Sequence, residues 1–251
     1  MHKFENIRYS PDTHPRHVLD VYLPDRDCFP VFVYFHGGGI ERGDKDGHAF
    51  IEKMVEQGIA VVSANYRLYP YAVYPEFIRD AAAAVAWAKQ HMDEYGKVTG
   101  VFVGGSSAGG YLTQMLCFDH KYLAAHGIDA DTIDGYIMDA GQPTVHFNVL
   151  RERGIDSRRV IVDEAAPLYH ICAERTYAPM QIIVSDKDME NRYEQTVLLL
   201  STLRHFGHDM SRVDYRLMQD STHCSYLHKD TSDGGNVFAD MVSEFIWNYI
   251  K

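Results

Sequence analysis

Short apolar runs bounded by Gly, Pro and Asp alternate along this chain with longer stretches of helical period. That alternation restricts the fold more than any other feature. "HVLDVYLP" alternates like a half-exposed strand, "PVFVYFHGGG" and "GIAVVSANYR" read as buried ones, and "VTGVFVGG", "IDGYIMDAG", "MQIIVSDKD" and "VDYRLMQD" as further strands. Between them, "PEFIRDAAAAVAWAKQHMDEYG", "AGGYLTQMLCFDHKYLAAHG", "YEQTVLLLSTLRHFG" and "NVFADMVSEFIWNYIK" carry helix start and stop signals or an apolar stripe. Strands and helices in this order build βαβ units, so we expect an α/β fold, a doubly wound and mostly parallel sheet with helices on both faces. A length of 251 residues suits one such domain over 1–251. Only Pro143–Ala166 fits neither period, and it reads as an insertion, either a short lid or an irregular surface excursion.

The stretch "VFVGGSSAGGYL" places two serines in a glycine frame between a strand and a helix. A nucleophilic serine must project into a cleft from a sharp, strained turn whose neighbours carry no bulk. Glycines two before and two after it meet that need. Gly105-Ser106-Ser107-Ala108-Gly109 satisfies G-x-S-x-G around Ser107, while Ser106 would need a glycine at 108, which is alanine. The competing reading, a glycine turn that binds phosphate at a helix N-terminus, lacks the G-x-G-x-x-G pattern here.

Upstream, "YFHGGGIERGD" sets His36-Gly37-Gly38-Gly39 at the end of a buried strand. Acyl transfer passes through an oxyanion, and preorganised N–H donors aimed at it are a large catalytic contribution. The N–H groups of Gly38, Gly39 and Ala108 are the expected donors.

Composition removes several classes of function. The formal net charge is −11, with no basic cluster, which disfavours nucleic acid and anionic membrane as partners. The N-terminus lacks a signal-like apolar core, no window resembles a membrane span, and Cys28, Cys117, Cys172 and Cys224 form no CxxC pair, so free thiols in a cytoplasmic protein are expected. Fourteen histidines include the spaced pairs His14/His17 and His205/His208, but neither has the companions of a zinc site and HExxH is absent, so no metal is expected. Oligomeric state stays open, a homodimer included.

Taken together, HGGG, "NYRLYPYAVYPEFIRDAAAAVAWAKQH" and "GGSSAGGYL" resemble the α/β-hydrolase fold, and within it the hormone-sensitive-lipase-like and feruloyl- or acetyl-esterase-like carboxylesterases. The resemblance runs from about residue 17 onward. It implies a serine hydrolase of small, short-chain esters, a triad in the chain order Ser, acid, His, and no cofactor. An arylformamidase or small-peptide hydrolase with the same triad is the alternative, and a ligand-binding protein on the same fold the non-enzymatic one. The residue after HGGG is usually aromatic in those families; here Ile40 stands there and is expected to alter the acyl pocket. The residues before the first matched strand are too few for a large helical cap, which leaves 143–166 as the sizeable cover.

The residues themselves leave Asp186 and Asp188 open as the acid, and His223 and His228 as the base. The resemblance places the acid three residues after a small strand-end residue, here Ser185, which selects Asp188. It also matches Asp220-Ser221-Thr222-His223 to the histidine loop, and it assigns His36 a bracing role. Tyr66, Tyr69, Tyr71 and Tyr74 crowd within nine residues; Tyr66 and Tyr69 are expected at the substrate, with packing between loops as the competing reading.

Overall fold

The computed structural model describes residues 1–250. Eight strands form one sheet: β1 (His2–Arg8), β2 (Val18–Leu23), β3 (Cys28–Phe35), β4 (Ala60–Ala64), β5 (Lys97–Ser106), β6 (Gly135–Asp139), β7 (Met180–Lys187) and β8 (Val213–Thr222). Their spatial order is β1-β2-β4-β3-β5-β6-β7-β8. The first two pairings, β1 with β2 and β2 with β4, are antiparallel, and every later one is parallel.

Alternate side chains along each central strand feed opposite cores. Val31, Val33 and Phe35 of β3 join one apolar cluster, Phe32 and Tyr34 the other. Helices α2 (Glu76–His91), α3 (Ala108–Phe118) and α6 (Arg192–His205) cover the first cluster; α1 (Phe50–Glu56) and α7 (Val237–Tyr249) cover the second. Each fully buried Val, Leu, Ile or Phe contributes about 1.5–3 kcal/mol of transfer free energy, so a strand buried on both faces is held by both layers.

Three local features depart from the sequence reading. The edge strand β1 and the short helix α1 carry no clear period and were not anticipated. The helix expected from Ala108 to Gly127 stops at Phe118, because Asp119 adopts φ −96°, ψ 86°; a one-turn helix, α4 (Lys121–Ala124), follows. The aperiodic 143–166 segment contains α5 (Phe147–Glu152) and is anchored rather than loose. Val145, Val149, Leu150, Ala165 and Ala166 are buried, and the Tyr111 hydroxyl donates to the Ala165 carbonyl at 2.9 Å. No helix among the described residues is long and apolar enough to cross a membrane.

Candidate active site

The carboxyl ends of β3, β5, β7 and β8 converge on one cleft of about 660 Å³. In open α/β sheets this end is where crossover loops leave room for ligands.

At the end of β5 the chain turns so sharply into α3 that Ser107 sits at φ 56°, ψ −110°, a strained conformation for any residue with a Cβ. The turn is held from below by the Ser107 N–H, which donates to the Asp139 carbonyl at 2.8 Å. Close approach explains the glycine frame. A Cβ on Gly105 would lie 2.6 Å from both the Gly109 carbonyl carbon and the Phe35 oxygen, and one on Gly109 would lie 1.9 Å from that same oxygen. The two serines have different surroundings. Ser106 is buried, with no hydrogen-bond partner for its hydroxyl among the described residues; Ser107 is half-buried and opens to the cleft.

The Ser107 hydroxyl lies 2.8 Å from His223 Nε2, and His223 Nδ1 lies 2.6 Å from Asp188 Oδ1. A carboxylate only accepts here, so Nδ1 carries the proton and Nε2 is left as the acceptor for the serine hydroxyl. Burial pushes the Asp188 carboxyl up, but the His223 hydrogen bond and charge, the Met189 N–H and the nearby Arg192 outweigh it and hold it below the usual carboxylate range. Asp186, the competitor, is exposed and turns the other way. Its carboxylate accepts from the N–H groups of Asp220 (3.0 Å) and Ser221 (3.1 Å), where β8 carries extra residues against β7. It thus clamps the irregular stretch that delivers His223. His228 is exposed on the cleft rim.

The HGGG loop is fixed by its carbonyls. Tyr66 donates to the His36 oxygen at 2.8 Å, His36 Nδ1 to the Gly37 oxygen at 2.7 Å, the Glu41 and Arg42 N–H groups to the Gly38 oxygen at 3.1 Å each, and Asn148 to the Gly39 oxygen at 2.8 Å. Gly38 has φ 111°, and a Cβ there would sit 2.1 Å from the Arg42 oxygen, so only glycine fits. With four successive carbonyls occupied, the N–H groups of Gly38, Gly39 and Ala108 have no protein acceptor among the described residues. His36 is buried, stacked on Tyr66 and contacted by Arg16 at Nε2; burial lowers its pKa to about 4, so it braces the loop as a neutral ring.

The three side chains expected at the substrate are not in the cleft wall. Ile40, at φ 65°, and Tyr66 are fully buried, because the loop folds back and drives both into the core behind it. Tyr69 is half-buried, tied through its N–H to the Ile40 oxygen at 2.8 Å, and lies outside the cleft lining. The apolar wall instead comes from Phe147, Met189 and Leu227. Sequence reading also missed Arg16 and Asn148 as loop braces, and Asp139 beneath the turn. Only Met189 carried a signal, through adjacency to Asp188; Leu227 lies four residues past His223. Two groups of ligand-type side chains occur among the described residues. Of these, Glu5–Asp20–Asp46 is already ion-paired with Lys3 and Lys45, and His120–Asp129–Asp131 contributes no residue to the cleft.

Residues 19–149 match the BD-FAE family, just over half of the chain. The chain belongs to the BD-FAE family. Among curated relatives of this BD-FAE protein, Esterase LipC of Mycobacterium tuberculosis is 27% identical over 223 residues, covering 79% of this chain and 54% of that protein. Carboxylic ester hydrolase LipN of the same organism is 42% identical over 92 residues, covering 35% and 24%. The chain thus spans about a quarter to a half of the length of these relatives. Among solved structures, a truncated carbohydrate esterase from gut microbiota superposes with a TM-score of 0.79 at 18% identity, covering 99% of this chain and 96% of that one. Esterase B from Lactobacillus Rhamnosis gives 0.78 at 18%, covering 99% and 84%. At that identity the likeness establishes the fold, which is that of the α/β-hydrolases.

Proposed function

We propose that this BD-FAE protein is a serine carboxylic ester hydrolase acting on small esters with short, acetyl-type acyl groups, on carbohydrate or aryl alcohols. The observation that carries the reading is the unbroken Asp188–His223–Ser107 chain, at 2.6 and 2.8 Å, opening beside three N–H groups without acceptors among the described residues. Ser107 attacks the ester carbonyl while His223 Nε2 takes its proton, and the oxyanion rests on Gly38, Gly39 and Ala108. Protonated His223 then hands the proton to the departing alcohol. Water, activated by the same imidazole, deacylates the serine. Asp188, held ionised throughout the neutral range, fixes the tautomer and balances the imidazolium. Relatives named esterases and carboxylic ester hydrolases support the reaction class.

A fluorophosphonate probe tests the reading. We expect one adduct, mapped by peptide mass spectrometry to Ser107, together with hydrolysis of p-nitrophenyl acetate. An adduct on Ser106, or none in a folded protein, would overturn the assignment. Running N-formylkynurenine, feruloyl and acetylated-sugar substrates beside it distinguishes the ester reading from the formamidase one.

A further inference from the structure

Beside the catalytic cleft lies a second cavity of about 370 Å³ that the proposed chemistry leaves unused. Phe147 and Met189 line both, so the two spaces share a wall. The second cavity is lined by Arg151, Arg158, Arg159 and Arg192, with Glu190 as its lone acidic lining residue. That is an unusual concentration of cation in a chain of formal net charge −11.

The state of each guanidinium matters. Arg192 is buried and donates to two neutral acceptors, the Ala140 carbonyl and Gln142 Oε1; it has no carboxylate within 4.0 Å among the described residues. Arg159 is exposed and likewise forms no ion pair among the described residues. Arg158 is paired only with its sequence neighbour Asp156, and Arg151 only with Glu41, both at the surface. Exposed pairs of this kind are worth about 0–1 kcal/mol and exchange readily for a better acceptor. Guanidinium forks suit a planar carboxylate, to which they donate two parallel hydrogen bonds. A long alkyl chain would find little apolar wall here.

We propose that this cavity is a specificity subsite for a carboxylate carried by the ester substrate, placed at the end of the acyl group or on the alcohol. The inference rests on the serine-esterase reading above and adds to it the charge of the substrate. Arg159 and Arg158 make the first contact from the rim, and Arg192 supplies positive potential from the buried wall.

Two matched ester pairs test it: 4-nitrophenyl hemiglutarate against 4-nitrophenyl valerate, and acetylated 4-hydroxyphenylacetate against its methyl ester. In at least one pair the anionic member should have a kcat/KM about tenfold above its neutral partner, expressed mainly in KM, with the advantage shrinking at high salt. In the Arg158→Ala, Arg159→Ala double variant, changed only at exposed positions, that ratio should fall to about one. Anionic members that are no better than neutral ones in both pairs would overturn the subsite, as would a preference that survives the double variant. A wild-type protein that cleaves none of the four esters removes the esterase reading itself, a different result.

Discussion

The floor and the rim of the cleft are built on different principles. At the floor, Gly105 and Gly109, on either side of Ser107, pack backbone on backbone against Phe35, with separations that leave no space for a single added carbon. At the rim, residues 151–164 are held by side chains at the surface: Arg153 pairs with Asp163, Arg158 with Asp156, and Glu152 accepts from the Tyr74 N–H at 3.0 Å. Geometry fixed by backbone tolerates no substitution and so leaves a motif. Geometry fixed by exchangeable side chains leaves none, and that is where substrate choice can drift without loss of the reaction.

The strongest test of this contrast removes the two adjacent serines in turn. Ser107→Ala should lower kcat on the order of 10⁶-fold, as loss of a triad nucleophile does elsewhere. Ser106→Ala removes a buried hydroxyl with no hydrogen-bond partner among the described residues and should keep most activity; equal losses in the two variants would place the nucleophile outside the glycine frame. Next come the two carboxylates. Asp188→Asn should cost on the order of 10⁴ in kcat through the wrong histidine tautomer. Asp186→Asn, which only loosens the clamp on Asp220 and Ser221, should cost far less. Steady-state kinetics on p-nitrophenyl acetate separates all four.

One substitution made in both regions measures the packing directly. Gly109→Ala forces a Cβ to 1.9 Å from the Phe35 oxygen and should destabilise the protein by about 3 kcal/mol or more. Gly154, at φ 70°, has nothing within 4 Å of an added Cβ, so Gly154→Ala should cost roughly 1 kcal/mol for the left-handed backbone alone. Urea denaturation reads both.

These contrasts also explain how much was legible beforehand. The strand–helix alternation is visible because the central strands β3, β4 and β6 are buried on both faces, and the Ser107 turn and HGGG loop because close backbone approach leaves glycine as the choice around them. Choosing Asp188 over Asp186 needed the family resemblance, since two aspartates two apart on the same strand end carry no distinguishing pattern. Ile40 and Tyr66 were misplaced because an aromatic cluster looks the same whether it faces ligand or core. What decides it is the fold-back of the loop, with its Tyr66 bond to the His36 oxygen, and that is a long-range contact. Asn148 and Phe147 sit in a segment without period, so their arrival over Gly39 left no trace in the sequence.

A titration separates floor from rim at smaller scale. Asp139, fully buried under the Ser107 turn with Tyr226 donating to it, has its carboxyl pushed up by burial to about 6. The folded protein therefore keeps this proton up to about pH 6, whereas an unfolded chain releases it near 4. Stability from this group is complete below about pH 4 and is lost as pH rises through 6. Asp139→Asn should therefore reduce the fall in Tm between pH 5 and pH 8, by on the order of 1 kcal/mol, or roughly 3 °C for a chain of this size. Asp156→Asn, at the exposed rim, should leave that fall unchanged; a matching change there would erase the distinction.

The mildest test concerns acyl length. A wall of Phe147, Met189 and Leu227 is short, and the neighbouring space is charged. Where apolar wall continues, each added methylene is worth about fourfold in binding. Here kcat/KM for neutral p-nitrophenyl esters should peak between acetyl and butyryl and decline by octanoyl. A rate still climbing to decanoate would mean the rim closes into an apolar tunnel.

The wide separation of Ser107 from His223, 116 positions along the chain, has a consequence for biosynthesis. A nascent polypeptide exposes the serine turn and the glycine loop well before β8 emerges from the ribosome, and during that interval no imidazole is available to activate the hydroxyl. β7 and β8 join the sheet through parallel pairing, which requires distant segments to meet and is slow compared with local helix formation. On the proposed serine-esterase reading, activity therefore switches on only with the last pairing of the sheet, and half-made chains are chemically silent toward acyl esters.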